Sequence, residues 1–266
     1  MVSWEEMYQR AIAAHIADGA PWPSRRPYGV PAEVVEQIRV VVHDLRVSEF
    51  DTFWLKKALA DPGRRWLAAR VLAEASGSNG DDFYSVETLT DAQRRRVLVE
   101  TFPDTIFDAL IRAAVLERDP SFDGYFVRPA VWIFGWQRTM EALLRYLANG
   151  TDAEKWGAVN ALLHASAWRH YPVPPDAPTA EQLVTLRDEE MLRQFVQTHD
   201  VALHQTIVRW LRPVDSYPPR LRDLARHAHE IARNDPDDFV RTRGHSVGRH
   251  AKTLISPLPT REDGKS

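Results

Sequence analysis

Four aspartates divide the chain into comparable lengths. Asp61, Asp104, Asp152 and Asp200 stand 43, 48 and 48 residues apart, each in a turn before a predicted helix. Seven residues beyond them come Ala68, Ile111, Val159 and Ile207. Ten beyond come Val71, Ala114, Leu162 and Trp210, and eleven beyond come Leu72, Val115, Leu163 and Leu211. These offsets share one helix face, so three columns are apolar on the same face in every copy. Between successive aspartates there is room for a second helix, and one is predicted each time. A helical hairpin cannot bury its apolar stripe alone. Recurring at this interval, it completes its core on the next hairpin, which is the pattern of an α-solenoid.

The best-formed copy is residues 131–168, read as two antiparallel helices joined by Asn149-Gly150-Thr151. The first carries Met140, Leu143, Leu144 and Leu147 at helical spacing. The second opens with Thr151 and Glu154, a capping box that satisfies free amide donors at a helix start. Gly150 is placed where a left-handed helix stop costs least. Further helices are predicted over residues 3–18, 31–46, 48–60, 64–75, 90–102, 104–119, 179–198, 200–212 and 219–234. Capping boxes open three of these at Ser3, Thr90 and Thr179. Proline and glycine fall between the helices, in loops at 19–30, at 76–82 and around Pro120, Gly124 and Pro129. The loop at 19–30 holds Trp22, Arg25, Arg26 and Tyr28, as a docking arm or a strap. No strand alternation occurs. The expected organisation is one all-α domain over 1–243, with a polar tail over 244–266.

The segments DPGRRWLAARVLAEA, GTDAEKWGAVNALLHA and HDVALHQTIVRWL each set a turn aspartate before an alanine-rich or β-branched second helix. In this the chain resembles the HEAT-repeat family, including its short HEAT-like bacterial forms, over residues 48–212. The Asp104 copy departs from that pattern, because Phe107 and Asp108 occupy the place of the usual basic residue. The resemblance implies a right-handed α-solenoid of the HEAT-like or armadillo type, whose second helices line a concave face that grips partners. Outward positions on those helices are Arg70, Glu74, Arg112, Asn160, His164, Gln205, Arg209 and Arg212. Their mixed polarity and modest positive character suit an acidic or polar protein partner. The resemblance also implies a second reading, a nucleic-acid-binding protein of the alkylbase DNA glycosylase type. Such proteins use tryptophans and an aspartate in a basic cleft. Trp132, Trp136 and Trp156 could serve, but Arg138, Arg145 and Lys155 are cancelled by Glu141, Asp152 and Glu154.

Composition narrows the function classes. A formal charge of −3 gives no general attraction to nucleic acid or anionic lipid. The absence of cysteine excludes disulfides, thiolate metal sites and cysteine nucleophiles, which fits an intracellular setting. The amino-terminal MVSWEEMYQR lacks the basic and apolar regions of a secretory signal, and the longest apolar runs are too short to span a bilayer. The chain is therefore expected to be cytoplasmic. Nine tryptophans spread along it read as large core fillers.

Catalytic constellations are weak. His43-Asp44 resembles the centre of metal-dependent phosphohydrolases of the HD type, but no further histidine and aspartate are fixed around it. His227 and His229, two residues apart on a helix, point to opposite sides and cannot share one ion. His164, Arg169, His170 and Tyr171 end the central pair, where the helix dipole favours basic groups. No phosphate-binding loop, dinucleotide fingerprint or nucleophile elbow is found. The leading expectation is a non-enzymatic scaffold, possessing neither cofactor nor metal, that binds an unknown protein in an immunity or regulatory role. Nucleic-acid binding is the alternative, and a small-molecule enzyme of the HD or bilin-lyase-like kind is a third reading.

Overall fold

A computed structural model describes Gln9 and residues 52–61, 64–76, 102–118, 123–166 and 179–247. Among these residues every regular element is helical and none is a strand. The chain divides into two compact units, Met1–Val184 and Thr185–Ser266.

Unit 1 holds α1 (Thr52–Ala60), α2 (Arg65–Ser76), α3 (Asp104–Val115), α4 (Asp123–Phe134), α5 (Trp136–Asn149) and α6 (Asp152–Ser166). Packing follows chain order. Helix α1 lies against α2 and α3, and α2 lies against α4. Helix α3 meets α4, α5 and α6; α4 also meets α5 and α6; and α5 packs along α6. Neither α1 nor α2 makes a substantial contact with α5 or α6. The core is apolar, with Leu55, Leu67, Leu72, Ile106, Leu110, Val127, Ile133, Trp136, Leu143 and Leu162 all fully buried.

Helix α4 replaces the expected loop around Gly124 and Pro129. Pro129 lies inside the helix, where it removes one backbone donor. Burial of Phe126, Val127, Ala130, Val131, Trp132 and Ile133 outweighs that loss, because a helix apolar all round is held by its neighbours. The expected single helix through 131–149 is also broken. Gly135, at φ 96° and ψ 148°, separates α4 from α5 in a region that only glycine adopts readily. Residues 131–168 therefore begin with the end of one helix and the start of another.

The turn between α5 and α6 follows the expected chemistry with one correction. The Thr151 amide and hydroxyl donate to Glu154 Oε2 at 2.9 and 3.0 Å, which completes the capping box. Gly150 is not left-handed: its φ is −73° and its ψ 169°. Crowding is what demands glycine there, because a Cβ would come within 2.6 Å of the Tyr146 carbonyl oxygen and 2.9 Å of Glu154 Cβ.

Unit 2 contains most of α7 (Ala180–Gln197), then α8 (Val201–Ile207), α9 (Arg222–Asn234) and α10 (Asp238–Ser246). Single 3-10 turns lie at Val208–Trp210, Val214–Ser216 and Pro219–Leu221. The Thr179–Gln182 capping box forms, with the Thr179 amide donating to Gln182 at 2.7 Å. Asp200 accepts from the Leu203 amide at 2.7 Å. The helix expected to reach 212 stops early, since Leu211 is extended and Pro213 disfavours helical backbone before it. Helix α10 was not expected. Its signal is Asp237, whose side chain accepts from the Val240 amide at 3.0 Å.

The four aspartate copies are not equivalent in the fold. Asp61, Asp152 and Asp104 precede or open α2, α6 and α3, but α2 and α6 pack on α4 while α1 packs on α3. The Asp104 segment thus corresponds to the first helix of a hairpin, not the second. Leu163, expected on the buried face, is 53% exposed. Residues 3–18, 31–46 and 90–101 and the loop at 19–30 fall outside the described residues, apart from Gln9.

Gly157 brings α6 against the end of α3. A Cβ there would sit 1.8 Å from the Val115 carbonyl oxygen, a backbone atom that cannot step aside. Gly157→Ala should therefore lower stability by about 3 kcal/mol, at the upper end for overpacked sites. Gly135→Ala meets no neighbour and suffers only backbone strain, about 1–3 kcal/mol. Urea unfolding of both variants, with Gly157→Ala the more damaging, checks the order.

Candidate functional site

The cleft of unit 1 is formed where α3, α5 and the start of α6 come together. Its volume is about 360 Å³, and it is lined by Phe107, Asp108, Ile111, Ala142, Arg145, Tyr146, Asn149, Gly150 and Glu154. Phe107 and Ile111, each only 2% exposed, lie beneath it at the margin of the α3 core stripe. Phe107 is fixed from behind by Phe134, ring centroids 5.3 Å apart, and by the Arg138 guanidinium 4.2 Å from its own centroid. Arg138 also reaches Asp104 at 2.9 Å.

Glu154 is committed to structure. The Thr151 amide, then the Thr151 hydroxyl, hold its carboxyl below the ordinary carboxylate range; burial opposes them, and the charge of Arg112 adds a smaller lowering. Asp108 and Arg145 are different. Both are exposed, and neither side chain has an ion pair or hydrogen bond among the described residues. Opposite charges thus stand on α3 and α5 beside an apolar floor.

The residues expected to bind a partner are divided between the two units, and their surroundings differ. Arg112 is exposed on α3, one turn beyond Asp108. The Arg70 and Glu74 side chains lie outside the described residues. Asn160 is 7% exposed, not outward, and its amide donates to the Trp156 carbonyl at 3.1 Å. His164 is half-buried on α6, its ring against Gly124 of α4. Gln205, Arg209 and Arg212 belong to unit 2. The Gln205 amide donates to Asp237 at 2.9 Å, and Arg209 stacks over Phe239 at 5.3 Å. Arg212 has a side chain 41% exposed and is also bound from several sides.

Arg212 belongs to a charge network centred on α7. Asp188 accepts from Arg187 through Nε at 3.2 Å and Nη2 at 2.7 Å, and from Arg212 through its other oxygen. Arg187 lies over Trp210 and Arg212 over Tyr217. The Arg212 amide donates to the Tyr217 hydroxyl at 3.0 Å, and His229 Nε2 donates to the Arg212 carbonyl at 2.8 Å. Burial pushes the Tyr217 hydroxyl above its ordinary pKa, with the Arg212 amide and guanidinium opposing. The neighbouring Glu189 holds Arg193 and Arg220, at 2.9 and 2.8 Å.

His204 and Asp235 form a second pair, at 2.8 Å, with the imidazole stacked on Phe195. The outer ring nitrogen, which a catalytic dyad would turn toward a nucleophile, faces the Phe195 carbonyl at 2.9 Å. This pair fastens α7, α8 and the α9–α10 turn. As expected, His227 and His229 diverge, the first exposed and the second buried. Among the described residues no three histidine, aspartate or glutamate side chains converge as metal ligands. The His43-Asp44 pair, His15, Arg169, His170 and Tyr171 lie outside the described residues. Of the tryptophans named for nucleic acid, Trp132 and Trp136 are buried, and Trp136 donates to the Ala165 carbonyl at 2.8 Å.

No family model matches the chain, nor does a curated protein or a solved structure. Among the described residues no helix is long and apolar enough to cross a membrane.

Two outcomes follow from the unit 2 network. Asp188→Asn removes the buried carboxylate charge that Arg187 and Arg212 share. The loss should be about 3 kcal/mol, the lower end for a broken buried pair, because Arg212 stays 41% exposed and can turn to water. A urea midpoint unchanged from wild type would refute it. Asp237 is held below the ordinary aspartate value, first by the Val240 amide and further by Gln205. A depressed carboxyl stabilises fully above its unfolded-state value and loses that contribution as pH falls through the folded one. Asp237→Asn, which keeps a cap but not the charge, should lower stability at neutral pH and flatten the acid limb of the stability–pH curve, so that the variant and wild-type curves converge below about pH 4.

Proposed function

We propose that the chain is a non-enzymatic scaffold that binds another protein, working inside the cell and built on a short HEAT-like, right-handed α-solenoid. The neighbour-to-neighbour packing of unit 1 supports the solenoid reading. Helices pair as α1–α2, α3–α4 and α5–α6, and each pair meets the next through both its members. The gripping place differs from the one the sequence suggests. It lies on α3 and α5, first helices of their hairpins, rather than on α2 and α6.

One observation carries the binding reading: the open cleft of unit 1 is lined by uncommitted charges of both signs, Asp108 on α3 and Arg145 on α5. A site built for chemistry would bring titratable groups into contact, and here Asp108 and Arg145 stay apart. Of the three tryptophans the nucleic-acid reading would use, Trp132 and Trp136 are core side chains and only Trp156 is part-exposed, which gives that reading less support.

Affinity purification from the host on the full chain, followed by cross-linking and mass spectrometry, tests the reading. A stoichiometric protein partner is expected, with cross-links through Lys155, next to Glu154 at the cleft. A chain that purifies alone at every salt concentration tried, or only with nucleic acid, would overturn it.

A further inference from the structure

We infer that a proton shared between His204 and Asp235 latches the α9–α10 turn onto α7 and α8, and that this corner of unit 2 loosens as the pH rises. The latch stands apart from the scaffold reading. The His204 ring lies between two acceptors, with Asp235 Oδ2 2.8 Å from Nδ1 and the Phe195 carbonyl 2.9 Å from Nε2. A carbonyl only accepts, so Nε2 carries a hydrogen. The contact between Nδ1 and the carboxylate needs a second hydrogen, on the nitrogen or on the oxygen. The pair therefore holds two protons and is neutral as a whole, where a neutral histidine beside an ionised aspartate would hold one.

Burial leads to the same proton count from the other partner. The Asp235 side chain is 5% exposed and that of His204 12%. Among the described residues no lysine or arginine reaches the Asp235 carboxylate, whose other oxygen accepts from the Asp237 amide at 2.9 Å. A net negative charge on the pair would be buried without a counter-ion. Charged groups on the surrounding elements are engaged elsewhere or exposed. Arg241 on α10 donates to the Asp235 and Pro236 carbonyls and to Asp238. Asp237 accepts from Gln205 and the Val240 amide, and Asp200 from the Leu203 amide. Arg209 lies over Phe239, while His199, Glu230 and Arg233 are exposed. Helix α7 meets the imidazole through Phe195, whose ring is stacked on it at 4.4 Å between centroids.

In an unfolded chain, histidine is neutral and aspartate ionised above about pH 7. Folding there takes up one proton, so the folding equilibrium constant falls by up to about tenfold per pH unit as the pH rises. Below about pH 6.5 the unfolded imidazole is charged too, and the contribution of the latch is fully present. Asp235→Asn separates the proton from the contacts. Its oxygen keeps the Asp237 amide and its amino group donates to Nδ1, so the ring needs only the hydrogen on Nε2. His204→Gln has no ring proton to lose.

Urea unfolding of the full chain from about pH 7 to about pH 8.5 tests the latch, in the range where unfolded histidine is neutral. Wild-type stability is expected to fall with pH, and both variants to fall much less. Histidine-ring NMR of the folded wild type gives a second readout, with the His204 signals assigned by their loss in His204→Gln. They are expected to stay unchanged between about pH 6 and about pH 8, while those of exposed His227 move as an ordinary imidazole loses its proton. Parallel urea slopes in wild type and variants, or a His204 ring that titrates together with His227, would overturn the inference.

Discussion

The approach of α6 to the end of α3 governs unit 1. With a hydrogen in place of a side chain at Gly157, α6 lies against the Val115 carbonyl, closer than any other residue type permits. That contact sets where the start of α6 falls, one turn earlier at Glu154. Glu154 then serves two neighbours, capping its own helix through Thr151 and standing near Arg112 of α3. The cleft exists because this corner is closed by a helix start rather than by a long side chain. Trp136 fastens the other end of the same helix by donating to Ala165, one of the carbonyls that a helix terminus leaves unpaired.

The cleft's floor is a by-product of core building. The buried residues of α3 run from Ile106 to Val115 over a broad stripe, wider than a single facing helix covers. Helices α4, α1 and α6 take most of it, and α5 takes the edge. Phe107 and Ile111 are the residues left at that margin, nearly covered but with one side on the cleft. Recognition at such a place costs little reorganisation, since the protein side is already ordered.

How much of this could be read in the sequence depended on whether the signal was local. Capping boxes at Thr151 and Thr179 are local hydrogen-bond patterns, and both formed as expected. The stripe in α3 and the helix from Asp152 were likewise visible in their spacing. Helix α4 was hidden, because Pro129 and Gly124 are helix breakers in isolation and only burial on several sides reverses that preference. The cleft was hidden for a different reason. Phe107 and Asp108 stood out only as a departure from the repeat pattern, and the residues that complete the site, Arg145 and Tyr146, come from another helix. The repeat alignment failed at Asp104 because apolar spacing reports which face of a helix is buried and says nothing of which member of a hairpin it is.

The two units hold themselves together differently, and this bears on where binding capacity remains. Among the described buried polar residues, Thr139 and Asn160 belong to unit 1, whereas Arg187, Asp188, Glu190, Gln194, Thr206, His229 and Asp235 belong to unit 2. Buried charges must be paired at close range, because desolvation otherwise outweighs their attraction. Unit 2 meets that demand by turning Arg187, Arg193, Arg212 and Arg220 onto the three consecutive acids Asp188, Glu189 and Glu190. Those arginines are therefore already engaged, and a ligand reaching them would have to displace an internal partner. Unit 1 is held mainly by apolar contact, which is indifferent to charge. Its surface arginines and aspartates are not all needed for folding, and the two that line the cleft are free for another molecule.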